Sequence, residues 1–167
     1  MAQINFNELE ALEMAIQVEK RGEAFYTQAK SFVHDDETKA MLEELAQQER
    51  EHADAFQAIY NELYHEQQNN FDDTYLYEPE VSAYLRAMTE SSIFPTDARH
   101  KEVIGNIKDI TDVLRIGIQA EKDSILFYTE MTINSRYVEA KNAFRRLIKE
   151  EKKHLIDLQA KLNQLNK

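Results

Sequence analysis

Apolar residues recur at alternating three- and four-residue steps along four long stretches of this chain, the spacing of one face of an α-helix. The first stripe is Leu9, Leu12, Ile16, Glu19, Glu23, Tyr26. It predicts a helix running to about Val33, with Asn7 as N-cap and Glu10 completing a capping box. His34-Asp35-Asp36 interrupts the pattern, and an Asp there can cap a second helix from about Asp36 to beyond Tyr60. That helix carries the stripe Leu42, Leu45, Glu49, His52, Phe56, Ile59, Leu63. A third, from Asp109 or Thr111 to about Thr132, carries Leu114, Ile118, Glu121, Ile125, Tyr128. After a turn at Asn134-Ser135, a fourth runs to about Asn163 and carries Phe144, Leu147, Glu151, His154, Leu158. Every stripe is broken by a glutamate, or by a Glu–His pair, where an apolar residue belongs.

The segment between the second and third helices has a different texture. Gln67-Gln68-Asn69-Asn70 and Phe71-Asp72-Asp73 read as loop. Pro79 suits the first position of a short helix reaching Met88. Ser91 through Pro95 stops that helix, and Thr96-Asp97 opens another. The expectation is an all-α, four-helix bundle in one domain, 1–167. Its hairpins span about 7–64 and 109–163, and a long crossover, about 65–108, joins helices 2 and 3.

Composition supports the helical reading, since only 3 Gly and 2 Pro occur in 167 residues rich in Glu, Gln, Ala, Leu and Lys. A formal net charge of -11 argues against nucleic acid or an anionic membrane surface as partner. No apolar run approaches the roughly 18 residues of a membrane span, and Met1-Ala2-Gln3-Ile4-Asn5 lacks a signal-peptide pattern. The expected compartment is therefore the cytoplasm. With 0 Cys, this sequence holds neither a disulfide nor a Cys-ligated zinc or iron centre.

The polar interruptions form a repeat. Val18-Glu19-Lys20-Arg21-Gly22-Glu23-Ala24-Phe25-Tyr26 returns, displaced by 102 residues, as Ala120-Glu121-Lys122-Asp123-Ser124-Ile125-Leu126-Phe127-Tyr128. The same displacement carries Glu49-Arg50-Glu51-His52 onto Glu151-Lys152-Lys153-His154. Glu19 and Glu49 are 30 residues apart with His34 midway, and Glu121 and Glu151 are also 30 apart with Arg136 midway. Equal legs on either side of each turn return both members to the same height in the bundle. Glu and His three residues apart lie on one side of a helix, so both reach one ion. Glu62-Leu63-Tyr64-His65 and Asp97-Ala98-Arg99-His100 share the spacing but not the repeat, and read as surface pairs.

Four carboxylates converging in a core without compensation would repel and be desolvated. Two divalent cations would neutralise them, with one histidine completing each coordination sphere. Such an oxygen-rich set suits iron or manganese, with zinc as a further occupant. The competing reading is a buried salt-bridge network using Arg21 or Lys122, and of these Arg21 is not repeated, its counterpart being Asp123. Tyr26 and Tyr128 lie seven residues beyond Glu19 and Glu121, on the same faces. They read as core residues whose hydroxyls bond buried carboxylates, or as donors that orient a ligand and pass a proton or electron. Phe25 and Phe127 read as plain core. Glu23 is either a solvent-side residue or a neighbour of the ligands.

The doubled Glu…Glu-x-x-His arrangement resembles the ferritin-like di-iron superfamily, and within it the rubrerythrins. Glu78-Pro79-Glu80-Val81 through Ala87, ahead of Phe94-Pro95, is similar to the crossover of compact members. The resemblance implies a di-iron site with Glu19 and Glu121 as terminal ligands, Glu49 and Glu151 bridging, and His52 and His154 on one metal each. Two departures stand out. No four-cysteine rubredoxin-like domain is appended, so electrons would come from a separate donor such as a rubredoxin-like protein. The extra carboxylate of rubrerythrins near the third-helix ligand is also missing, because Ile118 and Ser124 flank Glu121. The site is thereby more symmetric, as in bacterioferritin.

The implied function is reduction of hydrogen peroxide or dioxygen by a non-haem di-iron oxidoreductase, assembled as a homodimer. Ferroxidase or iron-handling activity is the alternative, and a non-catalytic, metal-dependent binding or sensing module is the third reading.

Overall fold

A computed structural model of the chain describes residues 6–69, 77–91 and 94–167. Six α-helices follow one another: α1 (Glu8–Ala29), α2 (Asp36–Asn69), α3 (Pro79–Ser91), α4 (Asp97–Gly105), α5 (Ile110–Asn134) and α6 (Val138–Leu165). The architecture is all-α, with α1 packed along α2 and α5 along α6, and the two hairpins joined through α2–α6 and α1–α5.

Local chemistry sets the helix starts. Asn7 Oδ1 accepts the Glu10 amide at 2.8 Å while Glu10 Oε2 accepts the Asn7 amide at 2.9 Å, closing the expected capping box. The α2 cap is Asp35, whose Oδ1 accepts the Thr38 amide at 2.8 Å and its hydroxyl at 2.7 Å. Asp109 Oδ1 caps α5 through the amides of Thr111 (2.9 Å) and Asp112 (3.2 Å). α6 begins at Val138, and its N-cap residue, Tyr137, supplies no side-chain cap. Its turn is held instead by Glu8, a fully buried carboxyl at the start of α1 that accepts from the Ser135 hydroxyl and, at 3.4 Å, from the Arg136 amide. Burial pushes the Glu8 carboxyl above the ordinary range.

Several boundaries differ from the sequence expectation: α3 runs past Met88 to Ser91, and α5 takes in Asn134. The first helix ends at Ala29, and a 3₁₀ turn, Lys30–Phe32, carries the chain toward Val33, which is extended. α2 continues to Asn69, so Gln67, Gln68 and Asn69 are helical rather than loop. Glutamine is a good helix former, and a polar composition alone does not end a helix whose first seven turns are anchored by packing. Asn70 and Phe71-Asp72-Asp73 lie outside the described residues.

The crossover helices lie against the outside of the bundle, α3 on α5 and α4 on α1. Phe6 and the α3 entrance are tied by backbone: Tyr77 N–H donates to Phe6 O at 2.8 Å, and Phe6 N–H donates to Ser82 Oγ at 2.8 Å. Between α3 and α4, Phe94 turns inward, is 2% exposed, and packs on Phe25 (5.8 Å between centroids) and edge-to-face on Tyr26 (5.5 Å). Gly22 makes this possible. A Cβ there would sit 2.8 Å from Phe94 Cε2 and 3.2 Å from Glu49 Cγ.

Candidate metal centre

Each hairpin delivers three of the six repeat residues to the middle of the bundle. Glu19 comes from α1, Glu49 and His52 from α2, Glu121 from α5, and Glu151 and His154 from α6. All six are buried, none more than 4% exposed. The structure thus brings together every residue that the repeat singled out.

The geometry divides them into two overlapping groups. Glu19, Glu49, His52 and Glu151 offer ligand atoms within 4.8 Å of one another, and so do Glu49, Glu121, Glu151 and His154. Glu49 and Glu151 belong to both. Each histidine turns Nδ1 toward the carboxylates. His52 Nδ1 lies 3.2 Å from Glu19, 3.5 Å from Glu49 and 3.3 Å from Glu151. His154 Nδ1 lies 3.5 Å from Glu49, 3.6 Å from Glu121 and 2.9 Å from Glu151. The two imidazoles face each other nearly parallel, at 21° and 5.8 Å between centroids.

Several of these atoms lack a hydrogen-bond partner despite being buried: Glu49 Oε1, Glu121 Oε2, both oxygens of Glu151, and His154 Nδ1. Unsatisfied buried acceptors are costly and uncommon. Among the described residues no Lys or Arg pairs with the four carboxylates, whose ionic contacts run to His52 and His154 alone. Arg21 and Lys122 therefore do not build the salt-bridge network weighed from the sequence.

Protons carry the compensation in the metal-free chain. Burial, reinforced by the Glu151 charge, pushes Glu121 up to about 8. Burial and the Glu151 and Glu19 charges push Glu49 well above the ordinary carboxylate range. Burial alone would lower His154, but the neighbouring carboxylates of Glu121, Glu151 and Glu49 push it up to about 12. His52 is raised in the same way, against burial, by Glu151, Glu19 and Glu49. Glu151 is held below the usual range, because the neighbouring imidazoles of His154 and His52 outweigh burial. A site that binds extra protons to stay neutral is one that divalent ions can occupy by displacing them. The donor set, four carboxylates and two imidazoles with orphaned atoms on the shared residues, fits two ions.

The tyrosines reach across the bundle. Tyr26 on α1 donates to Glu121 Oε1 on α5 at 2.5 Å, and Tyr128 on α5 donates to Glu19 Oε1 on α1. Each hydroxyl thus fixes the carboxylate of the opposite hairpin. Burial, then the neighbouring carboxylates, raises both phenols well above their ordinary value, so they remain donors. Gly117 leaves room for the first of them: a Cβ there would stand 3.3 Å from the Tyr26 hydroxyl and 3.2 Å from Leu158.

Residues around the site sort as follows. Phe25 and Phe127 are fully buried core. Glu23 is not drawn in; it pairs on the surface with Arg50, at 2.7 Å. Glu62, His65 and Asp97 are exposed and His100 half-buried, and among the described residues neither pair joins a metal-type cluster. Sequence reasoning missed Gln48 and Glu150. Gln48 Oε1 accepts from His154 Nε2 at 2.5 Å, and Glu150 Oε2 from His52 Nε2 at 2.6 Å. Both precede the shared glutamates and are related by the same 102-residue displacement, which was the available clue.

Two helical hairpins that place paired Glu and Glu-x-x-His donors on a common axis define the ferritin-like diiron-carboxylate class. The chain belongs to the rubrerythrin family, whose model matches residues 10–162. It is similar over its length to a Thermotoga maritima protein solved at 2.30 Å and proposed to be a ferritin-like diiron-carboxylate protein. The two share 27% identity and a TM-score of 0.69, covering 95% of this chain and 96% of that one. No curated protein matches the chain.

Proposed function

We propose that this protein holds two iron ions and uses them to reduce hydrogen peroxide or dioxygen. The observation that carries the reading is the pair of four-residue donor groups sharing Glu49 and Glu151. Glu19 and His52 would hold one ion, Glu121 and His154 the other, and Glu49 and Glu151 both. Bound there as a ferrous pair, the irons would supply two electrons for cleaving the O–O bond of the oxidant. The electrons that restore the pair would come from outside these 167 residues, which contain 0 Cys.

The chain's own residues do the rest. Tyr26 and Tyr128 orient the two outer carboxylates and keep a proton beside each. The buried aromatic cluster of Phe25, Tyr26 and Phe94 limits water on one side of the site. Anaerobic reconstitution should give about two irons per chain, set by the two four-coordinate groups. Stopped-flow oxidation of the di-ferrous protein should then be faster with peroxide than with dioxygen. Equal or slower oxidation by peroxide would favour the second reading, ferroxidase and iron handling. One observation favours that alternative: Ile118 and Ser124, both buried, stand where a further carboxylate would break the site's symmetry. A cage-sized particle on size exclusion would strengthen it.

A further inference from the structure

We infer that the two metal positions are inequivalent, and that Glu150 makes the His52 position the tighter and first-filled one. The inference rests on the two-ion reading above.

The ligands themselves are matched one for one by the repeat. What touches their far side is not. With Nδ1 facing the ions, each histidine must carry its proton on Nε2 and donate it outward. His52 donates to a carboxylate, Glu150, and His154 donates to an amide, Gln48. A carboxylate acceptor draws the Nε2 proton toward itself and leaves Nδ1 more electron-rich, hence a stronger ligand. A neutral amide does this less.

The contacts beyond this pair fix the orientation of both acceptors. Gln48 Nε2 donates to Glu44 Oε1 at 3.3 Å, so the oxygen of its amide is the atom left for His154. The other oxygen of Glu150 faces Arg146 Nε at 4.0 Å. Glu44 and Arg146 are again equivalent under the repeat, with opposite charges. Each works at one remove and from the surface, where solvent screens it. Arg146 is 63% exposed, whereas the His52–Glu150 bond is direct and involves a ring 5% exposed. The atom in contact with the imidazole therefore decides which position binds more strongly.

The test titrates metal-free full-length protein anaerobically with Co(II), reading affinity by calorimetry and each site by the paramagnetically shifted imidazole N–H resonances. Wild type should bind two ions with constants separated by about 10–100-fold, the usual weight of an outer partner of a histidine ligand. At one equivalent, the N–H resonance that shifts in Glu150→Gln should be the one present. Glu150→Gln should bring the two constants together, and Gln48→Glu should do so from the other side. The exchange Gln48→Glu/Glu150→Gln keeps net charge and composition, and should invert the filling order. All three variants are near-isosteric, and circular dichroism checks their folding. Two ions with equal constants, or an order unchanged by the exchange, would overturn the inference alone. Fewer than two ions per chain would overturn the two-ion reading and the inference with it.

Discussion

Raising the pH of the metal-free protein from 5 to 9 should destabilise it, a direction opposite to that of a protein held by ordinary surface carboxylates. Glu121 supplies the magnitude. Its ordinary value is 4.5 and burial with the Glu151 charge raises it to about 8. A carboxyl that binds its proton more tightly when folded confers stability that is complete below pH 4.5 and lost as pH rises through 8. At 1.36 kcal/mol per unit, the gap corresponds to roughly 5 kcal/mol at most. Part of that belongs to the cluster rather than to Glu121 alone, because Glu121 titrates together with Glu151 and the histidines, leaving about 2–4 kcal/mol. Glu49, raised for the same reasons, acts in the same direction. So does His154, whose contribution is complete below 6.5 and fades as pH climbs toward 12. Glu151 is lowered, and its contribution is already complete above 4.5, so it does not oppose them.

At about 2–4 °C per kcal/mol for a chain of this length, the melting temperature should fall by roughly 5–15 °C across the range. Circular-dichroism melts of chelator-treated protein at half-unit pH steps would show it. Two controls locate the effect. Adding a divalent ion should abolish the fall, because metal replaces the protons. Glu121→Gln should make the metal-free protein more stable than wild type at pH 8 and similar to it at pH 5. A melting temperature that stays flat or rises between pH 6 and 9 would refute the reasoning, since no buried carboxyl would then be ionising in that window.

Removing either tyrosine hydroxyl, by Tyr26→Phe or Tyr128→Phe, should weaken metal binding by about 10-fold or more at the opposite hairpin's carboxylate, measured by competition with a chelator. Gly22→Ala should destabilise by about 1–2 kcal/mol, because crowding of Phe94 and Glu49 outweighs the helix-propensity gain. Denaturant melts of Gly22→Ala, Phe94→Leu and the double variant should then be non-additive, with the second change relieving the first. Glu8→Ala should cost about 1–3 kcal/mol by removing the buried acceptor of the Ser135 hydroxyl and the Arg136 amide, while Glu8→Gln, which keeps an acceptor, should cost less.

The cluster of four glutamates and two histidines was legible because duplication supplies an internal comparison. A single Glu-x-x-His is uninformative, as Glu62–His65 shows by lying on the surface. Two copies at one offset, each on an otherwise apolar stripe, mark positions that the core must accommodate. The helix starts were legible for a local reason, since Asn7, Asp35 and Asp109 cap within a few residues of themselves. The end of α2 was not, because nothing local distinguishes a polar helical turn from a polar loop. Glu8 was hidden for the converse reason. Its sequence position is that of an ordinary first-turn acid, and its burial depends on a turn 127 residues away.

The partners that cross the bundle show where an internal repeat stops being informative. An offset equates Tyr26 with Tyr128 and Gln48 with Glu150, but says nothing about which hairpin each one faces. The structure removes that ambiguity with a pairing that keeps the pseudosymmetry of the repeat: Tyr26 bonds Glu121 and Tyr128 bonds Glu19, each reaching across to the other hairpin. The same symmetry makes its violations meaningful. Gly22 stands opposite Ser124 in the repeat, and Gly117 opposite Ala15. Phe94 comes too close to Gly22 for a Cβ, and Leu158 and Tyr26 crowd the same place at Gly117. A chain built of two like halves but joined by one crossover must be covered differently on its two sides. Its departures from symmetry are therefore expected where Phe94 enters and around the aromatic cluster it completes.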